Sequence, residues 1–226
     1  MTNTYARRPR SIRALRRLLR HGRSWLKDLD LKREQIRFRK RVRPFAPPYR
    51  LHLGCGTIRL KGWINIDQEP GGSAADAVWD LRHALPLPDG SCRLIYSEHL
   101  LEHLRVDEGV ALLRDCRRLL SEGGVLRCAM PSLDTLIEKS ATGDWRQQDW
   151  LTWPEHSFIQ TRAEMLNIAF RSWGHQWLYD REELHRRLRE AEFSRLREVE
   201  WGKSDTADLQ GLETRQDSHL ICEAER

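Results

Sequence analysis

The chain has 226 residues and no window close to eighteen consecutive apolar positions, so no segment is expected to span a membrane. Its first residues lack the apolar core of a secretory signal, and a secretory leader is not expected. Cysteine is sparse: the five at 55, 92, 116, 128 and 222 are odd in number and contain no Cys-x-x-Cys spacing. That argues against a disulfide framework and a zinc ribbon, and a reducing, cytoplasmic setting follows most simply. His52, Cys55 and His156 match no metal-ligand spacing, so no metal site is expected. A Gly-x-Ser-x-Gly elbow is also absent, which removes the common serine hydrolases. Internal repeats and low-complexity tracts are missing too.

The net charge of +6 conceals a division. Residues 1–50 carry 17 Lys/Arg against 3 Asp/Glu, whereas the other 176 carry 22 against 30. The basic character therefore belongs to an N-terminal arm and not to the body. Within residues 11–42, Ile12, Leu15, Leu19, Leu26, Leu29 and Ile36 recur at helical spacing among arginines. Pro44, Pro47 and Pro48 then end the helix. The expected organisation is an amphipathic arm at 1–43, a proline-rich linker at 44–48 and one domain at 49–226. Three uses are open to the arm: an anionic membrane surface met through residues 11–42, nucleic acid, or docking onto the acidic body. A transit peptide is a fourth.

Two apolar runs carry the strongest signal. Leu51-His52-Leu53 leads into Gly54-Cys55-Gly56, and Trp63-Ile64-Asn65-Ile66 ends on Asp67, eleven positions after Gly56. Glycines let the backbone approach a ligand that a Cβ would repel. A carboxylate at the next strand end suits a ribose diol. Further strands are expected at Asp76–Trp79, Leu94–Tyr96, Val125–Ala129, Leu196–Trp201 and His219–Ala224. Helices are expected at Leu100–Leu120, at Leu133–Lys139 behind a Ser132 cap, and at Asp180–Glu192 behind an Asp180-x-x-Glu183 capping box. The gaps after Gly56 and Asp67 are shorter than the dozen or more residues a helical crossover between parallel strands needs.

Leu-Gly-Cys-Gly, Gly62-Trp63-x-Asn65-x-Asp67, Leu85-Pro86-Leu87-Pro88-Asp89-Gly90-Ser91, Glu102-His103-Leu104 and Phe170-x-x-Trp173-Gly174-His175 stand in an order that resembles class I S-adenosylmethionine-dependent methyltransferases of a compact bacterial, type 11-like branch. The likeness runs from about Leu51 to Arg226. It implies an α/β Rossmann-like sheet, mostly parallel with its last strand antiparallel, and shortened first crossovers. It also implies S-adenosylmethionine as cofactor. Leu53, Gly54, Cys55 and Gly56 would then line the cofactor, Asp67 would hold its ribose, and Asp80 with Leu81 its adenine edge. Ser97, Glu98 and His99 would wall the methyl group. The chain departs from the pattern at His52, where an acid is usual, at Ile58 in place of a third glycine, and at Arg93.

For an acceptor hydroxyl a histidine base is suited to neutral pH. His99 after the fourth strand and His175 in the polar–aromatic run Arg171–Trp177 are the candidates, although His99 serves equally as a helix cap. His103, Trp173, Gln176 and Tyr179 are candidates to bind the acceptor. Five of nine tryptophans fall between Asp144 and Trp177, in an expected insertion at 143–179 beyond the fifth strand. They could grip a sugar or an aromatic ring, or pack the insertion onto the sheet. The reading is methylation, as O-methylation, of a small molecule or of a glycan intermediate of surface polysaccharide. An RNA methyltransferase using the arm, and a non-catalytic cofactor-binding protein, are the alternatives.

Overall fold

A computed structural model describes residues 29–69 and 74–226. Most of the expected arm, residues 1–28, lies outside the described residues. Residues 29–42 are helical (α1), but the face they bury is not the one the sequence pattern marked. Ile36 is 68% exposed, whereas Phe38 and Val42 are buried in the main core and Leu31 packs against it. The Phe38 ring meets Trp79 edge-on at 5.5 Å. The end of the arm thus contributes to the domain's core, and its basic residues 32, 33, 37 and 39–41 remain exposed.

Seven strands form one sheet: β1 (Tyr49–Leu53), β2 (Ile64–Asp67), β3 (Ala77–Val78), β4 (Cys92–Glu98), β5 (Leu120–Met130), β6 (Arg195–Glu198) and β7 (Leu220–Glu225). Their order is β3-β2-β1-β4-β5-β7-β6. Neighbours from β3 to β5 run parallel, and β7 is antiparallel to both β5 and β6. Side chains alternate between faces. Leu51, Leu53, Ile95, Cys128 and Cys222 enter the main core, which α2 (Val106–Leu119) and α5 (Arg181–Glu190) also cover. Leu94, Tyr96, Ala129 and Ile221 face the other way, where Trp63 and Leu209 close a smaller core to which, among the described residues, no α-helix contributes. The β1–β2 and β2–β3 crossovers carry no helix among the described residues, which is why that face has so thin a cover.

The expected helix Leu100–Leu120 is broken. A single 3-10 turn covers Leu101–His103, Leu104 is extended, and α2 starts at Val106. The cause is distant in sequence: the Glu102 carbonyl accepts hydrogen bonds from Gln176 N (2.7 Å) and Trp177 N (3.2 Å), and so is taken from the helix ladder. α3 (Leu133–Thr142), whose Ser132 Oγ accepts from Thr135 N, precedes the insertion, and within it lies α4 (Arg162–Arg171), which the sequence pattern did not suggest. Leu136 of α3 joins Trp145, Trp150, Ile159 and Met165 of the insertion in a separate small core. No helix among the described residues is long and apolar enough to cross a membrane.

Candidate functional site

Two parts of the site lie beyond the carboxyl ends of the parallel strands, where open α/β sheets present ligands. The first is the loop after β1. Gly54 N and Cys55 N both donate to the Ile66 carbonyl, which ties the loop to β2. Gly54 and Gly56 both have positive φ, +67° and +49°. A Cβ on Gly54 would sit 3.0 Å from Leu100 Cδ1, whereas one on Gly56 would meet nothing within 4 Å. The first glycine therefore serves close packing, and the second borders open space. Asp67 Oδ2 accepts from Gly56 N at 2.8 Å and Oδ1 from Glu69 N at 3.2 Å. Each oxygen keeps lone-pair capacity, which fits two vicinal hydroxyls.

The other nucleoside candidates differ in kind. Cys55 is buried and its thiol is pushed up to about 11 by burial, so it packs and does not react. The Asp80 carboxylate is gripped by the Arg82 guanidinium at 2.7 to 3.1 Å, which leaves it poorly placed to read an adenine edge. The side chains of Leu53 and Leu81 are in the main core, so only their backbones can face a ligand. His52 lies on the opposite sheet face, its Nδ1 3.1 Å from Asn65 Oδ1 and its ring 5.3 Å from Tyr96. Burial lowers its pKa and holds it neutral. The departure at His52 is thus part of the second core. Ile58 is exposed.

The second part is a cavity of about 370 Å³ between the ends of β4 and β5 and the insertion. His99, His103, His175 and His219 line it with Trp150, Trp153, Trp173, Gln148, Arg215 and Asp217. His99 has φ +51° and its N–H donates to the Ala129 carbonyl, so the backbone turns sharply at the end of β4. Its Nδ1 is 3.3 Å from Glu102 Oε1 and its Nε2 3.4 Å from Asp217 Oδ1. Both contacts are close in distance but poorly aligned as hydrogen bonds. Burial, then Arg215 and the neighbouring imidazoles, push His99 down to about 3. Glu102 is 1% exposed, and burial pushes it up to about 8. Burial therefore holds the His99 imidazole neutral. Burial also lowers His103 to about 4, lowers His175 and raises Asp217.

Of the residues singled out in the sequence, His99, His103, Trp173 and His175 come together at this cavity. Three do not join them as expected. Glu98 points its carboxylate at the β6–β7 connection, where it accepts from Thr214 N and Oγ1, Arg215 N and Ser218 Oγ, and it does not line the cavity. Tyr179 is 1% exposed in the main core, its hydroxyl packed against Gly109, because strand-like pairing with Ser132 turns it inward. Gln176 contributes its backbone N–H to Glu102, and its side chain is exposed outside the cavity. Ser97 is buried on β4 and hydrogen-bonds Cys128. Glu102, Arg215, Asp217 and His219 were not identified from the sequence. The last three lie beside β7, more than 110 positions from His99, with no local pattern to mark them.

Residues 67–128 match the family described as "Methyltransferase domain". A S-adenosylmethionine-dependent methyltransferase from Archaeoglobus fulgidus superposes with a TM-score of 0.50 at 15% identity, over 85% of this chain and 92% of that one. A second, from Thermotoga maritima and titled a possible histamine N-methyltransferase, gives 0.48 at 14% identity, over 91% and 96%. No curated protein matches the sequence. Residues 67–128 thus match a methyltransferase domain, and the fold is the one that the Archaeoglobus fulgidus S-adenosylmethionine-dependent methyltransferase also has.

Proposed function

We propose that the enzyme O-methylates a hydroxylated small molecule or a glycan intermediate of surface polysaccharide, bound in the cavity between β4, β5 and the insertion. The observation that carries this reading is the place of His99, on the cavity wall and next to Leu100, which touches the glycine loop. Asp67 would hold the ribose, and the backbone of Gly54 to Gly56 the remainder of the cofactor. S-adenosylmethionine supplies a methyl group already activated as a sulfonium, so the protein's part is alignment and removal of the acceptor proton. His99 on the cavity wall accepts that proton, and Asp217, 3.4 Å from its Nε2, stabilises the imidazolium that forms. Trp150, Trp153 and Trp173 offer flat faces for a sugar ring. A volume of about 370 Å³ suits a group near the size of a monosaccharide.

The exposed bases of α1 extend the basic arm, and with it they support docking on an anionic membrane surface, where polysaccharide intermediates are built. Methyl-labelled S-adenosylmethionine offered with sugar acceptors and with RNA tests the acceptor class. Label in a glycan hydroxyl is expected, and label in RNA alone would overturn the reading. Sedimentation with anionic but not neutral vesicles tests the arm.

A further inference from the structure

We propose that Glu102, His103 and His175 bind a divalent transition-metal ion of the zinc class at the floor of the acceptor cavity. One ligand atom from each residue lies within 4.8 Å of the other two. Tetrahedral zinc, with bonds of about 2.0 to 2.1 Å, spaces its ligands about 3.4 Å apart, so side-chain torsions suffice to close the set. Two imidazoles and one carboxylate is a zinc set that leaves a coordination position open.

Two further observations point to a cation. Both carboxylate oxygens of Glu102 are buried without a hydrogen-bond partner, a costly arrangement that a dication relieves. The His175 imidazole is also pinned from behind: its Nδ1 is 2.8 Å from the Ala169 carbonyl, and the neighbouring His103 ring has its Nδ1 side towards Gly174. A ring whose Nδ1–H donates to a carbonyl keeps its lone pair on Nε2, which is how metal-ligating histidines are commonly oriented. The hydrogen bonds from Gln176 N and Trp177 N to the Glu102 carbonyl hold the His175 segment against the Glu102–His103 turn, so the three side chains are brought together before any ion arrives.

An ion there would hold an acceptor oxygen close to His99 and ease the loss of its proton. That consequence rests on the cavity being the acceptor's, whereas the metal site itself does not. The test uses the untagged full chain, stripped with chelator and titrated calorimetrically with Zn²⁺, and with S-adenosylmethionine in a separate experiment. One zinc per chain is expected, with affinity reduced ~100-fold or more in Glu102→Gln and in His175→Ala and S-adenosylmethionine binding unchanged in both. Should buried Glu102→Gln fail to fold, His175→Ala, on a half-buried loop position, decides the matter. Absence of zinc binding by the wild type, or binding that survives His175→Ala, overturns the site. Zinc binding without S-adenosylmethionine binding would support the site and count against the cofactor reading instead.

Discussion

The Glu98 carboxylate, at the carboxyl end of β4, accepts a 2.8 Å hydrogen bond from the Ser218 hydroxyl, 120 positions further along the chain. Together with the bonds from Thr214 and Arg215, it fastens the segment that carries Arg215, Asp217 and His219 to the cavity. Glu98→Ala leaves buried donors unmatched and should cost about 1–3 kcal/mol of stability. Hydrogen exchange should quicken at residues 214–218, while S-adenosylmethionine affinity stays within about twofold. A tenfold loss of cofactor affinity would restore Glu98 to the cofactor wall.

Asp67 answers the opposite question. Removing an ionised acceptor of two ribose hydroxyls should weaken S-adenosylmethionine by about 10- to 100-fold, or roughly 1.5–3 kcal/mol. Calorimetric titration of Asp67→Ala checks it, and unchanged affinity would remove the ribose assignment.

The two positive-φ glycines separate packing from binding. Gly54→Ala combines a left-handed backbone with a 3.0 Å contact to Leu100, and thermal unfolding should show a loss above the ~1–2 kcal/mol of the backbone alone. Gly56→Ala has open space around its Cβ and should lose less stability. Its new methyl group would obstruct the cofactor, so S-adenosylmethionine affinity should fall further in Gly56→Ala than its stability predicts.

His99→Ala should lower turnover by about 10²–10⁴-fold, the usual value of a positioned base, without weakening S-adenosylmethionine. Trp173→Ala, which removes one aromatic wall, should raise the acceptor KM with a smaller effect on kcat. Normal turnover in His99→Ala would eliminate it as the base.

Acid stability reports a buried network on the far face. Arg127, fully buried on β5, donates to Glu213 at 2.6 Å and to Glu223 at 2.7 Å. Burial works to raise Glu223, but hydrogen bonds from Ser204, Arg197 and Arg127 outweigh it and hold the carboxyl below the usual range. A carboxyl lowered in the folded state contributes stability above its unfolded pKa of about 4.3, and that contribution is lost as pH falls through the lower folded value. Urea unfolding should therefore find this contribution constant from pH 7 to about 5.5 and declining below pH 4. Arg127→Met strands two buried carboxylates and should cost about 3–5 kcal/mol at pH 7.

How much was legible in the sequence follows from how far apart the partners are. Gly54, Gly56 and Asp67 lie within fourteen residues on two adjoining strand ends, so their spacing alone foretold the loop that Asp67 now braces. The alternation of β1 and the caps at Ser132 and Asp180 are likewise local, settled by side-chain periodicity and by the first turn's unmatched N–H groups. Tertiary structure alone decided the rest. Gln176 N took the Glu102 carbonyl and broke a helix that periodicity favoured, and packing against Trp79 chose Phe38 over Ile36 as the buried side of α1. His99 met Asp217, and His103 met His175, across 118 and 72 positions. Such pairings depend on where whole elements dock, and no residue carries in its neighbours the record of a partner so distant along the chain.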